Sequence, residues 1–138
     1  MKKFKLLSLC LLLTIMGCSK DDDGNNGGDI NKAKLVGSWT AFKEIDHTVG
    51  EPDEEYTIPE GCSLIIVFTT TEISTQSDDD CDGNIDSIST SGYTLNGNII
   101  TDDDQANYTI QSLTANKLVI RADEDADGYT DIYFNRIN

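Results

Sequence analysis

The chain is 138 residues long and carries 25 Asp and Glu against 10 Lys and Arg, a formal net charge of −15. A surface of this sign repels phosphate backbones and anionic head groups, which excludes nucleic acid as a partner. The length suits one domain after its leader is set aside, and no His/Cys spacing of a metal site occurs around the one histidine.

Lys2, Lys3 and Lys5 precede an apolar run from Leu6 to Met16, followed by Gly17 and Cys18. A basic start, a short apolar stretch and a small residue before the break describe a secretory signal. The run falls short of the roughly 20 residues that cross a bilayer. Ile15-Met16-Gly17-Cys18 resembles a bacterial lipobox. The resemblance implies a diacylglyceryl thioether on Cys18, cleavage after Gly17 and loss of residues 1–17; the alternative is an ordinary signal peptide with a chance cysteine. Buried acyl chains contribute about 0.8 kcal/mol per CH₂, so two or three of them make a lasting anchor to the membrane. The processed chain keeps 7 basic residues against 25 acidic ones, a charge of −18.

Residues 18–30 read as a tether rich in Asp, Gly and Asn, a composition that buries no apolar area. Its Ser19-Lys20-Asp21-Asp22-Asp23 resembles the surface-export signal of Bacteroidota-type lipoproteins. That implies an outer-membrane, lipid-anchored protein exposed at the cell surface, the inward face of the same membrane being the alternative.

Cys10 leaves with the signal and Cys18 is the lipidated residue, so Cys62 and Cys81 remain as an even pair in an oxidising compartment. A disulfide is the expectation. Closing a loop of about twenty residues contributes roughly 3 kcal/mol.

From residue 31 on, one helical turn at 31–36 is followed by β-branched and aromatic segments separated by turn residues. Strands are predicted at 38–45, 63–68, 72–77, 86–95, 99–101, 107–113, 117–122 and 129–137. Asn96-Gly97 is the strongest hairpin signal. Connections are too short for crossover helices, so neighbouring strands run antiparallel as a meander, closed into a barrel or stacked as a sandwich.

The Gly-x-Trp of Lys34-Leu35-Val36-Gly37-Ser38-Trp39, the Cys62/Cys81 pair and the terminal Ile132-Tyr133-Phe134-Asn135-Arg136 resemble the lipocalin-like domains of small Bacteroidota lipoproteins. The resemblance covers 32–138 and implies an all-β, antiparallel up-and-down barrel of about eight strands occupying 31–138. It also implies barrel-closing roles for Gly37, Trp39 and Arg136, with the guanidinium over the indole. The chain is shorter than typical lipocalins and lacks a long loop after the first strand, which argues against a large cavity.

Two stretches share the spelling D-x-D-x-D-G-x-x-D: "DDDCDGNID" at 78–86 and "DEDADGYTD" at 123–131. Alternate carboxylates followed by glycine suit calcium, and in the second stretch the ligands would be Asp123, Asp125, Asp127 and Asp131. The bidentate acid of position 12 is missing, however, with Ser89 and Phe134 standing there, and no helices flank either stretch. Both read first as solvated turns at the rim, with weak calcium binding as the alternative. No other cofactor is implied.

No nucleophile motif or phosphate loop occurs, and His47 lies in the polar stretch "EIDHTVGE", read as facing solvent. The chain is therefore expected not to be an enzyme. Two readings remain: a barrel holding a small apolar ligand, or a packed barrel whose acidic rim meets a protein partner. They differ in whether Leu64, Ile66, Phe68, Tyr93, Leu95, Tyr108, Ile110, Leu118 and Ile120 enclose a void or one another.

Overall fold

The computed structural model describes residues 30–125 and 127–137. The predicted signal, Cys18 and the tether up to residue 29 lie outside the described residues. A four-residue helix, α1 (Lys32–Leu35), opens the fold. Asn31 caps it by accepting from the Ala33 N–H at 2.9 Å. Ile30, placed at the end of the tether by composition, is 8% exposed and belongs to the core.

The strands are β1 (Gly37–Thr48), β2 (Glu54–Thr57), β3 (Ser63–Phe68), β4 (Glu72–Asp78), β5 (Ser87–Asn96), β6 (Ile99–Asp102), β7 (Asn107–Leu113), β8 (Lys117–Asp125) and β9 (Gly128–Ile137). All pairings are antiparallel, each strand from β3 onward pairs with the next, and β1 pairs with β9. The sheet therefore closes into a barrel of eight strands with β2 as an extra one.

β2 was not predicted. All four residues of its sequence Glu-Glu-Tyr-Thr are exposed, and nothing in its composition announces a strand. It forms because β1 is twelve residues long and β3 covers only Gly37–Thr40, which leaves Lys43–Asp46 free to pair with Glu54–Thr57. A bulge at Phe42 separates the two halves, and the Ile58 N–H donates to the Phe42 carbonyl.

The turns set the hairpin registers, and the β5–β6 turn lies one residue beyond its sequence signal. Thr69 accepts from and donates to Glu72, which pairs Phe68 with Ile73 and Ser63 with Asp78. The β5–β6 loop is Gly97-Asn98 rather than Asn96-Gly97, with Asn96 facing Ile99 and φ at +62° on Gly97. This register sets Leu95 opposite Ile100 on one face.

The core fills one end of the barrel. Leu35, Trp39, Phe68, Ile100, Ile110 and Leu118 are essentially without solvent contact. Phe68 and Tyr93 meet edge to face at 5.6 Å, and the Lys32 ammonium sits 4.6 Å above the Tyr93 ring. Among the described residues no helix is long and apolar enough to cross a membrane.

Candidate functional site

The closed end is built around Trp39. Its indole N–H donates to the Leu35 carbonyl at 2.9 Å, and the Arg136 guanidinium lies 4.3 Å over its ring. Arg136 also donates to the carbonyls of Val36 (3.2 Å) and Lys34, so the last strand is clasped to α1. Gly37 has φ +140°, and a Cβ there would fall 2.5 Å from the Arg136 Nη1. The structure thus brings Gly37, Trp39 and Arg136 into one contact. They close an end of the barrel, with Trp39 fully buried between the partly buried Gly37 and Arg136.

Beyond this plug lies a cavity of about 260 Å³. Ile66, Ile73, Ile100, Ile120, Ile132 and Phe134 form its apolar wall, with Leu64 at one side. Thr75, Ser89, Ser91, Tyr108 and Asp102 supply its polar lining. The residues expected to enclose either a void or one another divide. Leu64, Ile66, Tyr108 and Ile120 face the cavity, while Phe68, Tyr93, Ile110 and Leu118 belong to the packed core and Leu95 packs against it.

The placement of the polar groups follows from strand lengths. Of β5, β6 pairs only with Tyr93–Asn96, so the first half of β5, carrying Ser89 and Ser91, is left beyond the end of β6. Asp102 terminates β6 there, and its Oδ1 accepts from the Ala106 N–H at 2.8 Å. Tyr108 enters beside it on β7, one position from the Thr101–Asn107 pair. Burial, reinforced by Asp102 and Asp104, raises the Tyr108 hydroxyl above its usual range, so it stays a protonated donor.

A second hollow of similar size, about 260 Å³, adjoins at Leu64, where β1 has parted from β3 to join β2. Glu44, Ile58, Pro59, Ser77 and Asp78 line it. Glu44 pairs across the ladder with Ile132, a cavity residue, and so lies on the inner face. Burial first, then the neighbouring Asp46, raises the Glu44 carboxyl above its ordinary range. Neither Glu44 nor Asp102 stands out in the sequence; their inward aim depends on the Phe42 bulge and on the length of β6.

Cys62 and Cys81 form a disulfide, joining the lead into β3 to the 78–86 loop. That loop folds on its own carboxylates. Asp78, 3% exposed, accepts from the N–H groups of Asp82 (3.2 Å) and Gly83 (2.9 Å). Asp86 accepts from Asp79 and Asp80, and Asp82 from Asn84. Asp78, Asp80 and Asp86 lie close enough for their oxygens to share one ion. Their carboxylates accept from the loop's own backbone amides.

The other acidic stretch is largely strand. Asp123–Asp125 belong to β8 and Gly128–Asp131 to β9, so the expected connection over 123–128 shrinks to residues 126–127. The side chains of Asp123 and Asp125 lie outside the described ones. Asp127 is exposed, and its carbonyl accepts from the Val49 N–H. Asp131 is buried on the outer face, where Arg121 grips both its oxygens at 2.8 Å.

His47 is not in a loop, because β1 continues to Thr48. It is half-buried, stacked on Tyr129 at 4.4 Å, with Nδ1 2.8 Å from Asp53 and Nε2 3.5 Å from Asp131. Arg121 lies 3.6 Å over the same tyrosine, and Lys43 4.5 Å over Tyr133. Cross-strand pairing of β1, β9 and β8 assembles this outer patch from residues far apart in the chain.

Comparison with known proteins follows the same lines. The family model of the lipocalin-like domain matches residues 35–120. No curated protein matches the chain. Among solved structures, a protein of unknown function of the DUF3598 family from Nostoc punctiforme superposes with a TM-score of 0.42 at 13% identity, over 80% of this chain and 50% of that one. This chain thus spans half the length of that protein. A de novo designed fluorescence-activating β-barrel superposes with a TM-score of 0.39 at 13% identity, over 78% of this chain and all of the design. With the closed barrel and a family match covering most of its length, the chain belongs to the lipocalin-like domain family.

Proposed function

We propose that this protein is a lipoprotein anchored to the outer membrane through Cys18 and exposed at the cell surface, and that its barrel binds a small apolar molecule. The observation that carries the binding reading is the cavity of about 260 Å³ behind the Trp39 plug, walled by isoleucine, leucine and phenylalanine with a handful of polar groups at one side. Ligand pockets combine an apolar wall with a few placed polar groups. At this size, just under the usual 300–1,000 Å³ range, the occupant is compact and not a long-chain lipid. Binding rather than catalysis fits a lining of hydroxyls and one carboxylate that, among the described residues, holds no histidine or cysteine.

The anchoring part of the proposal rests on Met16-Gly17-Cys18 and the acidic tether that follows. Native mass spectrometry of the protein from its own host is expected to show a retained small molecule. Titration with a compact apolar fluorophore is expected to saturate at one per chain. Absence of both would remove the ligand-binding reading. Separately, Cys18→Ala is expected to release the protein from the membrane fraction.

A further inference from the structure

The cavity carries charge of one sign. Among the described residues Asp102 is its one charged lining residue, and no lysine, arginine or histidine lines it. The hollow that adjoins at Leu64 adds Glu44, Asp78 and Asp79, again with no basic group. Of the chain's few cations, Lys32, Lys43, Arg121 and Arg136 are stacked on aromatic rings elsewhere in the barrel.

This arrangement discriminates among apolar ligands. A neutral hydrocarbon filling the space would strip water from the Asp102 carboxylate and return nothing, an unfavourable burial of charge. An anionic amphiphile would meet a carboxylate of its own sign across a medium of reduced dielectric. A cationic group answers the charge already present. Asp102 is held for such a contact: its Oδ1 is fixed by the Ala106 amide, and no described group bonds its Oδ2. The hydroxyls of Ser89, Ser91 and Tyr108 line the same cavity and have lone pairs that an ammonium can donate to; Ser91 keeps one, since its Oγ already accepts from the Asp103 N–H while its O–H donates to the Gly92 carbonyl.

We propose that the cavity takes a compact apolar molecule bearing an amine, with the ammonium at Asp102 and the hydroxyls of Ser89, Ser91 and Tyr108, and the apolar body against Ile66 and Phe134. The inference rests on the ligand-binding reading above and adds the charge class of the ligand.

Three probes of one shape and different charge test it: n-butylbenzene, phenylbutylamine and phenylbutyrate, titrated calorimetrically into the full chain at low salt. The amine is expected to bind at least about tenfold more tightly than the hydrocarbon, and the carboxylate more weakly than either. Asp102→Asn keeps the acceptor for Ala106 and removes the charge; it is expected to bring the amine down to the hydrocarbon's affinity. Hydrocarbon binding without an amine preference in the wild-type protein would overturn this inference and leave the cavity reading intact. Binding of none of the three would overturn both. The wild-type comparison decides even if Asp102→Asn fails to fold.

Discussion

The Arg136 guanidinium lies 4.3 Å over the Trp39 indole and donates to the backbone of the segment that leads into it. The first and last strands of the barrel are thereby fastened through one aromatic ring, at the end where α1 plugs the interior. Trp39→Ala removes the largest buried side chain and is expected to cost about 3–5 kcal/mol in denaturant unfolding. Arg136→Ala should cost less, on the order of 1–3 kcal/mol, through the cation–π contact and the two released carbonyls. Gly37→Ala should destabilise by about 1–3 kcal/mol although it adds one methyl, because φ is +140° and the added Cβ meets Nη1. If Gly37→Ala melts like wild type, the close approach of these two residues is not maintained in solution.

Replacing Cys62 and Cys81 together by alanine is expected to lower stability by about 2–4 kcal/mol, most of it through the larger freedom of the unfolded chain. Reduction of the wild-type protein should produce the same loss. A double variant as stable as wild type would show that the 78–86 loop holds itself.

That loop is open to its own test. Asp78→Ala leaves two buried-side amides, those of Asp82 and Gly83, without their acceptor and should cost about 1–3 kcal/mol in calcium-free buffer. Thermal melts in several millimolar calcium and in chelator are expected to coincide. A calcium-dependent rise in Tm would instead identify a weak site at Asp78, Asp80 and Asp86, with affinity on the order of 10⁻⁴–10⁻³ M.

Glu44 makes stability depend on pH in a direction opposite to most carboxylates. Its carboxyl is raised from the ordinary 4.5 by burial and then by Asp46, so the folded state binds this proton more tightly than the unfolded chain does. Its contribution is fully present below pH 4.5 and is lost as pH rises through the higher folded value. Glu44→Gln is therefore expected to raise Tm at neutral pH, with the gain disappearing in acid. Chemical denaturation across the acid range reads this directly; a gain independent of pH would place its origin outside Glu44 ionisation.

On the outer face, Asp131 is nearly enclosed and bidentate with Arg121. Asp131→Ala leaves a half-buried guanidinium and a histidine without their shared anion. A loss of about 1–3 kcal/mol is expected, reduced from the fully buried case by the partial exposure of Arg121.

The strand pattern was legible in the chain because period-two alternation and turn residues are local signals. Ser63–Phe68 and Asn107–Leu113 stand where their β-branched and aromatic segments predict strands, while the turns beside them settle on a different residue. β2 was not legible, since Glu-Glu-Tyr-Thr has no face of its own and becomes a strand only where β1 outruns β3. The end of β8 failed for a related reason: Asp123–Asp125 spell a turn, yet their backbone is drawn into the ladder with β9. His47 likewise reads as a loop residue and is stacked and paired because β1 runs on past it.

Charge, the apolar leader with its cysteine, the strands and the closing trio of Gly37, Trp39 and Arg136 can all be read along the chain, since each depends on neighbours or on a motif of fixed spacing. What faces the interior at the open side cannot. A single bulge at Phe42 turns Glu44 inward, and the shortness of β6 sets Asp102 at the cavity. A strand's side chains alternate with a period of two, so one residue of register decides whether a carboxylate meets water or a ligand, and only the closed sheet assigns that register.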